Sequence, residues 1–263
     1  MTGAPTLAVQ IVNYRTRRYL ERCLASVLAD LDGGDLSYEI NLLDNASGES
    51  LDDLAAQHAR VSACTAERNL GFGAGHNRLA AMTRAQYLWF LNPDVELYEP
   101  DTARRLLQAI AASDRVRAGG PRLLEADGTP QPYDHGRLRG PRAGIASRGG
   151  HSYWRATDVR RRVAWTSGAA LLVERDAFVA LGGFDPRLFL YKEEEDLCLR
   201  LRAGGGEVLY DPEVSVRHVG TVVADRPRWA AESERYFIAK HCRPGPIQKM
   251  SAAVHHGLAY VHL

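Results

Sequence analysis

Four acidic side chains stand together at Glu193, Glu194, Glu195 and Asp196. Such crowding raises the pKa of whichever carboxylate is buried among its neighbours, and a carboxylate so tuned can accept a proton from an incoming hydroxyl. A solvated first helical turn is the alternative, since acids there gain about 0.3 to 1 kcal/mol from the macrodipole. Phe184, Phe189 and Tyr191 just upstream imply a partly buried wall and make full solvation less comfortable. A second candidate is Asn92-Pro93-Asp94, directly after the apolar run Tyr87 to Leu91. A carboxylate at a strand's end can ligate a divalent cation alongside phosphate oxygens. The same tripeptide also makes an ordinary turn capped by Asp94. His218, in Ser215-Val216-Arg217-His218-Val219-Gly220, is a third candidate. A lone histidine after a strand is usually a hydrogen-bonded surface or core residue unless it has a metal-binding partner, and Asp94 could be that partner. The loop Arg68 to Asn77 carries Gly71, Gly73 and Gly75 ahead of a helix. Its spacing departs from the dinucleotide fingerprint. What remains is a helix-entry turn, or a backbone that closely approaches a nucleotide or sugar.

The elements that must position these groups alternate. Leu7 to Val12 reads as a buried strand ending at Asn13-Tyr14. Tyr19, Leu20, Cys23, Leu24, Val27 and Leu28 have the spacing of an amphipathic helix. A strand Tyr38 to Leu43 ends at Asp44-Asn45-Ala46-Ser47-Gly48, followed by a helix Leu51 to Arg60, a strand Val61 to Ala66, a loop and helix from Asn69 to Arg84, and the strand Tyr87 to Leu91. Strand and helix in alternation predict an α/β chain with a mostly parallel sheet, whose ligands sit at the carboxyl ends of strands. Three strands end in polar clusters, at Asn13-Tyr14, Asp44-Asn45 and Asn92-Pro93-Asp94, and together these make a site. From Arg117 the pattern weakens, and Asp127 to Trp154 reads as a long loop or lid. Order returns with the run Ala169 to Val173, a helix Arg175 to Leu181, the acidic stretch leading into a helix through Arg202, and a strand near Val208 to Tyr210. Trp229 to Leu263 reads as helical with a break at Arg243-Pro244-Gly245-Pro246.

Composition narrows the partners. The 263 residues carry 33 Lys+Arg against 32 Asp+Glu, so no global field holds a polyanion and nucleic acid is not an implied partner. Cys23, Cys64, Cys198 and Cys242 lack the paired spacings of a zinc site or disulfide framework. Neither a signal peptide nor a membrane-spanning run stands out, which predicts a soluble, cytoplasmic protein. Arg137, Arg139, Arg142, Arg148, Arg155 and Arg160 to Arg162 form a locally basic stretch that suits a solvated face, an anionic ligand or a membrane surface equally well. Lys240 to Arg243, ahead of an apolar tail ending in Tyr260 to Leu263, leaves docking on a membrane or on a second copy as a homodimer open.

Taken in order, the motifs resemble the inverting GT-A-type glycosyltransferases of family 2, and rhamnosyltransferases within it. The matching elements are Val12-Asn13-Tyr14, Asp44-Asn45-Ala46-Ser47, Asn69-Leu70-Gly71-Phe72 with Asn77, Leu91-Asn92-Pro93-Asp94, Ser167-Gly168-Ala169, Gly182-Gly183-Phe184-Asp185, the acidic stretch with Leu197, and His218. The resemblance implies one GT-A (Rossmann-like) domain, a mixed, mostly parallel sheet flanked by helices. Residues 1–115 would form its nucleotide-sugar half, 116–228 its acceptor-binding and catalytic half, and 229–263 a C-terminal helical segment. It implies transfer, with inversion, from a dTDP- or UDP-sugar such as dTDP-rhamnose to a hydroxyl of a carbohydrate, lipid-linked or natural-product acceptor, in the cytoplasm or peripherally at the inner face of the membrane.

The same resemblance assigns roles. Val12, Asn13, Tyr14 and Asp44 would hold base and ribose. Asn69, Gly71, Phe72 and Asn77 would line the nucleotide or donor-sugar pocket, with Asn92 and Pro93 beside it. Asp94 and His218 would bind Mg²⁺ or Mn²⁺ on the diphosphate. Trp165, Ser167 and Gly168 would contact donor or acceptor. Glu194 would be the catalytic base, with Glu193, Glu195 and Asp196 as substitutes. The chain departs from the family pattern in two places: Asn92 replaces the first metal-motif aspartate, and Glu194 replaces the usual catalytic aspartate. One added methylene moves a carboxylate by about 1.5 Å. Two rival readings follow, a non-catalytic nucleotide-sugar-binding protein and, against its malformed glycine pattern, a Rossmann-type oxidoreductase.

Overall fold

A computed structural model describes residues 3–136, 154–220 and 226–241. The expected alternation is present at the N-terminal end: β1 (Leu7–Asn13), α1 (Arg17–Leu31), β2 (Tyr38–Asp44), α2 (Asp52–Ala56), β3 (Val61–Thr65), α3 (Phe72–Ala80) and β4 (Tyr87–Leu91). There follow β5 (Val95–Glu96), α4 (Thr102–Ala111), β6 (Val116–Leu124), β7 (His135–Gly136), β8 (Arg161–Val163), β9 (Trp165–Thr166) and β10 (Ala170–Glu174). The last described elements are α5 (Arg175–Ala180), α6 (Glu193–Ala203), β11 (Glu207–His218) and α7 (Arg226–His241).

The main sheet runs β3-β2-β1-β4-β10-β6-β11-β5, with β8 also on β11. Strands β1 to β4 pair in parallel, as do β6 and β11. β10 is antiparallel to both β4 and β6. Helices cover both faces, and the alternation of strand side chains feeds two cores. Leu7, Val9, Ile11, Trp89 and Leu91 pack with α1 and α4, whereas Ala8, Leu88 and Phe90 pack with Phe178 of α5 and Leu197, Cys198 and Leu201 of α6.

Differences from the sequence reading have local causes. The faded pattern after Arg117 conceals the nine-residue β6, whose Gly119, Gly120 and Pro121 interrupt any apolar alternation. A Cβ at Gly119 would lie 2.8 Å from Leu209 O, and one at Gly120 would lie 3.0 Å from the Thr166 side chain, so close approach of neighbouring chain sets the composition there. The strand expected near Val208 to Tyr210 is the twelve-residue β11, with a register shift between Asp211 and Ser215 around Pro212, which lacks a ladder donor. The α4 helix, with Leu106 and Ile110 buried, went unread. Residues 137–153 of the expected long loop, the break at Arg243 to Pro246 and the apolar tail lie outside the described residues. Among the described residues no helix is long and apolar enough to cross a membrane.

Candidate functional site

The chain leaves β1 toward β2 on one side and reaches β4 on the other, so a crevice opens at the carboxyl ends of β1 and β4. A cleft of about 1120 Å³ lies at this edge. Val12, Tyr14, Asn69, Gly71, Phe72, Asn92, Pro93, Asp94, Ser167, Gly168, His218, Glu193 and Glu194 all line it. Residues scattered over more than two hundred positions are thereby brought to one cavity.

Strand register explains the convergence. Because β10 is antiparallel to β4, with Ala170 opposite Leu91, the turn Ser167-Gly168-Ala169 falls beside Asn92, whose N–H donates to Ala169 O at 2.9 Å. At the far side His218 pairs with Val95 across β5 and β11, and Val219 N–H donates to Asp94 O at 3.1 Å. His218 Nε2 therefore stands 3.5 Å from Asp94 Oδ1 and 3.1 Å from Asn92 Nδ2. Burial pulls the Asp94 carboxyl upward, but His218 in its protonated form and the backbone N–H groups of Asp94 and Gly220 outweigh it and leave its pKa below the usual value. Among the described residues no three His, Cys, Asp or Glu side chains converge as a ready-made metal site. One carboxylate oxygen and one imidazole nitrogen facing each other nevertheless fit a divalent cation that draws its other ligands from phosphate and water.

The acidic stretch forms the first turn of α6, entered through Tyr191 and Lys192, both at positive φ (+71° and +72°). This sharp entry faces the first two acids into the cleft. Glu193 is 3% exposed and its Oε2 has no hydrogen-bond partner among the described residues. Burial, reinforced by Glu194, pushes its carboxyl well up. Glu194, half-buried beside Gly168, is pushed up to about 7, by burial first and the charge of Glu195 second. A carboxylate titrating near neutrality at a cavity wall is equipped to take a proton.

The other candidates lie behind this surface. Glu195 pairs with Lys192 at 2.6 Å. Asp196 is fully buried among Arg200, Lys240 and His241, which holds its proton affinity down, so it is not a credible base. Asn13 Nδ2 donates to Glu49 and Asp44, while its Oδ1 accepts from Thr16; Asp44 also receives Ser47. Asn13 and Asp44 thus brace the floor rather than line the cleft. Asn77 is engaged at both amide ends by the Phe184 backbone, at 2.8 and 2.9 Å, and Trp165 is buried in the second core.

Asn45, read in the sequence as part of a polar strand end but given no role of its own, lines the cleft and ties Leu70 N–H and Gly71 O into place. Sequence reading missed other lining residues. Glu125 comes from the stretch of weakened pattern, Gln131 and Tyr133 come from the segment read as a long loop or lid, and Trp229 comes from α7, where it stacks on Phe189 with centroids 4.3 Å apart.

Residues 8–162 match the model of the family described as Glycosyl transferase family 2. The chain is 30% identical to the N-acetylglucosaminyl-diphospho-decaprenol L-rhamnosyltransferase of Mycobacterium tuberculosis, over 81% of this chain and 75% of that protein. It is 26% identical to rhamnosyltransferase WbbL of Escherichia coli, over 88% and 91%. Similar solved structures include the mannosyltransferase PcManGT from Pyrobaculum calidifontis in complex with GDP-Man and Mn²⁺, at TM-score 0.65, 15% identity and coverage of 93% of this chain and 66% of that one. GalNAc-T7 with UDP, GalNAc and Mn²⁺ matches at TM-score 0.63 and 20% identity, over 90% and 51%. The chain thus spans between half and two thirds of those two solved chains. The mixed sheet with its switch-point cleft is the GT-A fold, and the chain belongs to glycosyl transferase family 2.

Proposed function

We propose that this protein moves a sugar from a nucleoside-diphosphate sugar to an acceptor hydroxyl with inversion at the anomeric carbon. The observation that carries the reading is Glu194, its carboxyl pushed up to about 7, on the wall of the cleft that also holds Asp94 and His218. Val12, Tyr14, Asn69, Gly71 and Phe72 form the donor end, and residues 1–115 supply it. Residues 116–228 supply the base and the acceptor side, and the C-terminal segment from 229 adds Trp229.

Glu194 accepts the hydroxyl proton as the acceptor oxygen attacks the anomeric carbon. The bond from that carbon to the diphosphate oxygen breaks on the opposite face, and the nucleoside diphosphate leaves with the electron pair. Asp94 and His218 would hold Mg²⁺ or Mn²⁺, which when bound supplies Lewis-acid stabilisation of charge on the leaving phosphate. Burial and the neighbouring Glu194 favour the neutral form of Glu193, which limits a second charge beside the nucleophile.

The rhamnosyltransferase relatives make a dTDP- or UDP-linked donor, dTDP-rhamnose first, the choice to test. The mycobacterial relative's name supports a lipid-linked acceptor, which would call for peripheral contact with the inner membrane face by a cytoplasmic enzyme. The test is a panel of dTDP-, UDP- and GDP-sugars with lipid-linked and soluble acceptors, followed by mass spectrometry and by NMR of the new glycosidic bond. An inverted linkage is expected. Saturable donor binding without product would make the protein a binding module, and a retained linkage would remove the single-displacement mechanism.

A further inference from the structure

We propose that Gln131 is a positioning residue that fixes the tautomer of His218, so that Nε2 presents its lone pair to Asp94 and the cleft. The inference deepens the metal-assisted reading above and rests on it for its purpose, though not for its geometry.

The segment after β6 folds back through a tight turn. Glu125 N–H donates to Thr129 O, Gly128 N–H donates to Glu125 O with Gly128 at φ +84°, and Asp127 Oδ1 accepts from both the N–H and the hydroxyl of Thr129. Gln131 N–H then donates to Leu123 O at 2.8 Å. Since Leu124 is opposite Arg217 in the β6–β11 ladder, the returning strand sets Gln131 beside the end of β11, where His218 stands.

The hydrogen bonds there form a directed relay. Gln131 Nε2 donates to Glu125 Oε1 at 3.1 Å. An ionised carboxylate can only accept, so the amide nitrogen must face Glu125 and the amide oxygen must face away. That oxygen lies 2.7 Å from His218 Nδ1. Two acceptors cannot pair, so Nδ1 carries the hydrogen, and a neutral imidazole then leaves Nε2 bare. Independent support comes from the opposite side, where the Asn92 amide nitrogen, a donor, lies 3.1 Å from Nε2. The carboxylate of Asp94 is 3.5 Å away, so the unprotonated nitrogen and the carboxylate oxygen are two acceptors close enough to share one positive centre, which on binding would take the place of the Asn92 contact at Nε2. Glu125 sets the direction, Gln131 transmits it and His218 displays it.

Imidazole-¹⁵N-histidine labelling of the metal-free full chain tests this through long-range proton–nitrogen correlations in mildly alkaline buffer. A His218→Gln variant identifies the His218 signals among the nine histidines. Wild type should show hydrogen on Nδ1. Gln131→Leu should move it to Nε2 or mix the two forms, and the swap Glu125→Gln/Gln131→Glu, which restores an acceptor facing Nδ1, should return it. Hydrogen on Nε2 in the wild type, or no change in Gln131→Leu, overturns the proposal. Circular dichroism confirms that each variant is folded. In parallel, Mn²⁺ titrated with UDP present should bind Gln131→Leu roughly 10- to 100-fold more weakly, the range for groups that orient metal ligands, and the swap should recover affinity. Unchanged Mn²⁺ affinity despite an altered tautomer overturns the positioning role. Hydrogen on Nδ1 in a wild type that takes up no Mn²⁺ would instead sink the metal reading and leave the tautomer assignment standing.

Discussion

Replacing Glu194 with glutamine should slow the enzyme and stabilise it, and the two effects share one cause. The carboxyl of Glu194 has moved from the ordinary value of 4.5 to about 7 because the folded chain withdraws it from water beside Glu195. Across that interval the native protein holds a proton that the unfolded chain has released, so stability falls as pH rises from 4.5 to about 7. The interval corresponds to roughly 3 kcal/mol, an upper bound because the side chain is partly open to the cleft. Glu194→Gln removes that penalty. Near pH 8 its melting temperature should exceed the wild type's by up to about 6 °C, whereas near pH 4, with Glu194 protonated in both states, the two should coincide. Transfer should drop by about 10²- to 10⁴-fold, the usual worth of a positioned base. The wild-type acidic limb, with a midpoint near 7, should vanish from the pH profile of kcat/KM. Donor affinity should stay within a few-fold. The assays are calorimetry at the two pH values and initial rates over the same range. A variant that keeps the limb, or gains no stability near pH 8, refutes the reasoning.

Three further substitutions test the surroundings. Glu195→Gln removes the charge that raises Glu194 and frees Lys192, which lowers it, so the acidic limb of kcat/KM should move to lower pH while the limiting rate is kept; an upward or absent move would contradict the assigned causes. Gly71 sits at φ +83° where a Cβ would collide with Phe189 O, so Gly71→Ala should cost about 2 to 5 kcal/mol in urea unfolding and weaken donor binding, and a neutral result would show that the loop moves freely. Lys240 bridges Asp185 at 2.7 Å and Asp196 at 2.6 Å, and Lys240→Met should destabilise by about 2 kcal/mol at neutral pH. Burial alone would raise both acids, but Arg187 and Lys240 at Asp185, and Lys240, His241 and Arg200 at Asp196, hold them below the usual value. Their stabilisation is present above the ordinary carboxylate range and lost as pH falls through the depressed values. The gap between variant and wild type should therefore close in acid, and a gap independent of pH would place the effect in packing instead.

The β1–β4 end of the cleft was legible because its signals are local. β1, β2 and β4 are short and mostly apolar, each stops at polar residues, and parallel pairing obliges those ends to share an edge. The acid helix was legible as four adjacent carboxylates, but which of them faces the cleft was not. That depends on Tyr191 and Lys192 turning through positive φ, which two bulky side chains do not advertise, and on Asp196 finding Lys240 and His241 some 45 residues later. The β6–β11 part of the sheet was least legible. β6 owes its glycines to β11, α4 and Thr166 pressing on its backbone, so the composition that hid the strand is a product of the packing that needs it.

β10 shows how the two ends become one site. A fifth parallel strand beside β4 would have put its own carboxyl end, and a loop entering the next helix, over Asn92. Insertion of β10 in the opposite sense puts an amino end there instead, so the chain arrives at the cleft through Ser167-Gly168-Ala169 and leaves at the far edge into α5. Gly168 then lies between the Phe72 ring of the donor loop, where a Cβ would stand 3.2 Å away, and Glu194, at 3.5 Å. A residue without a side chain lets Glu194 and the Phe72 loop approach across a single backbone segment. Gly168→Val would fill that gap, and it should depress transfer far more than it depresses folding. Its urea midpoint is to be compared with its kcat/KM; proportionate losses in both would mean that Gly168 serves packing alone.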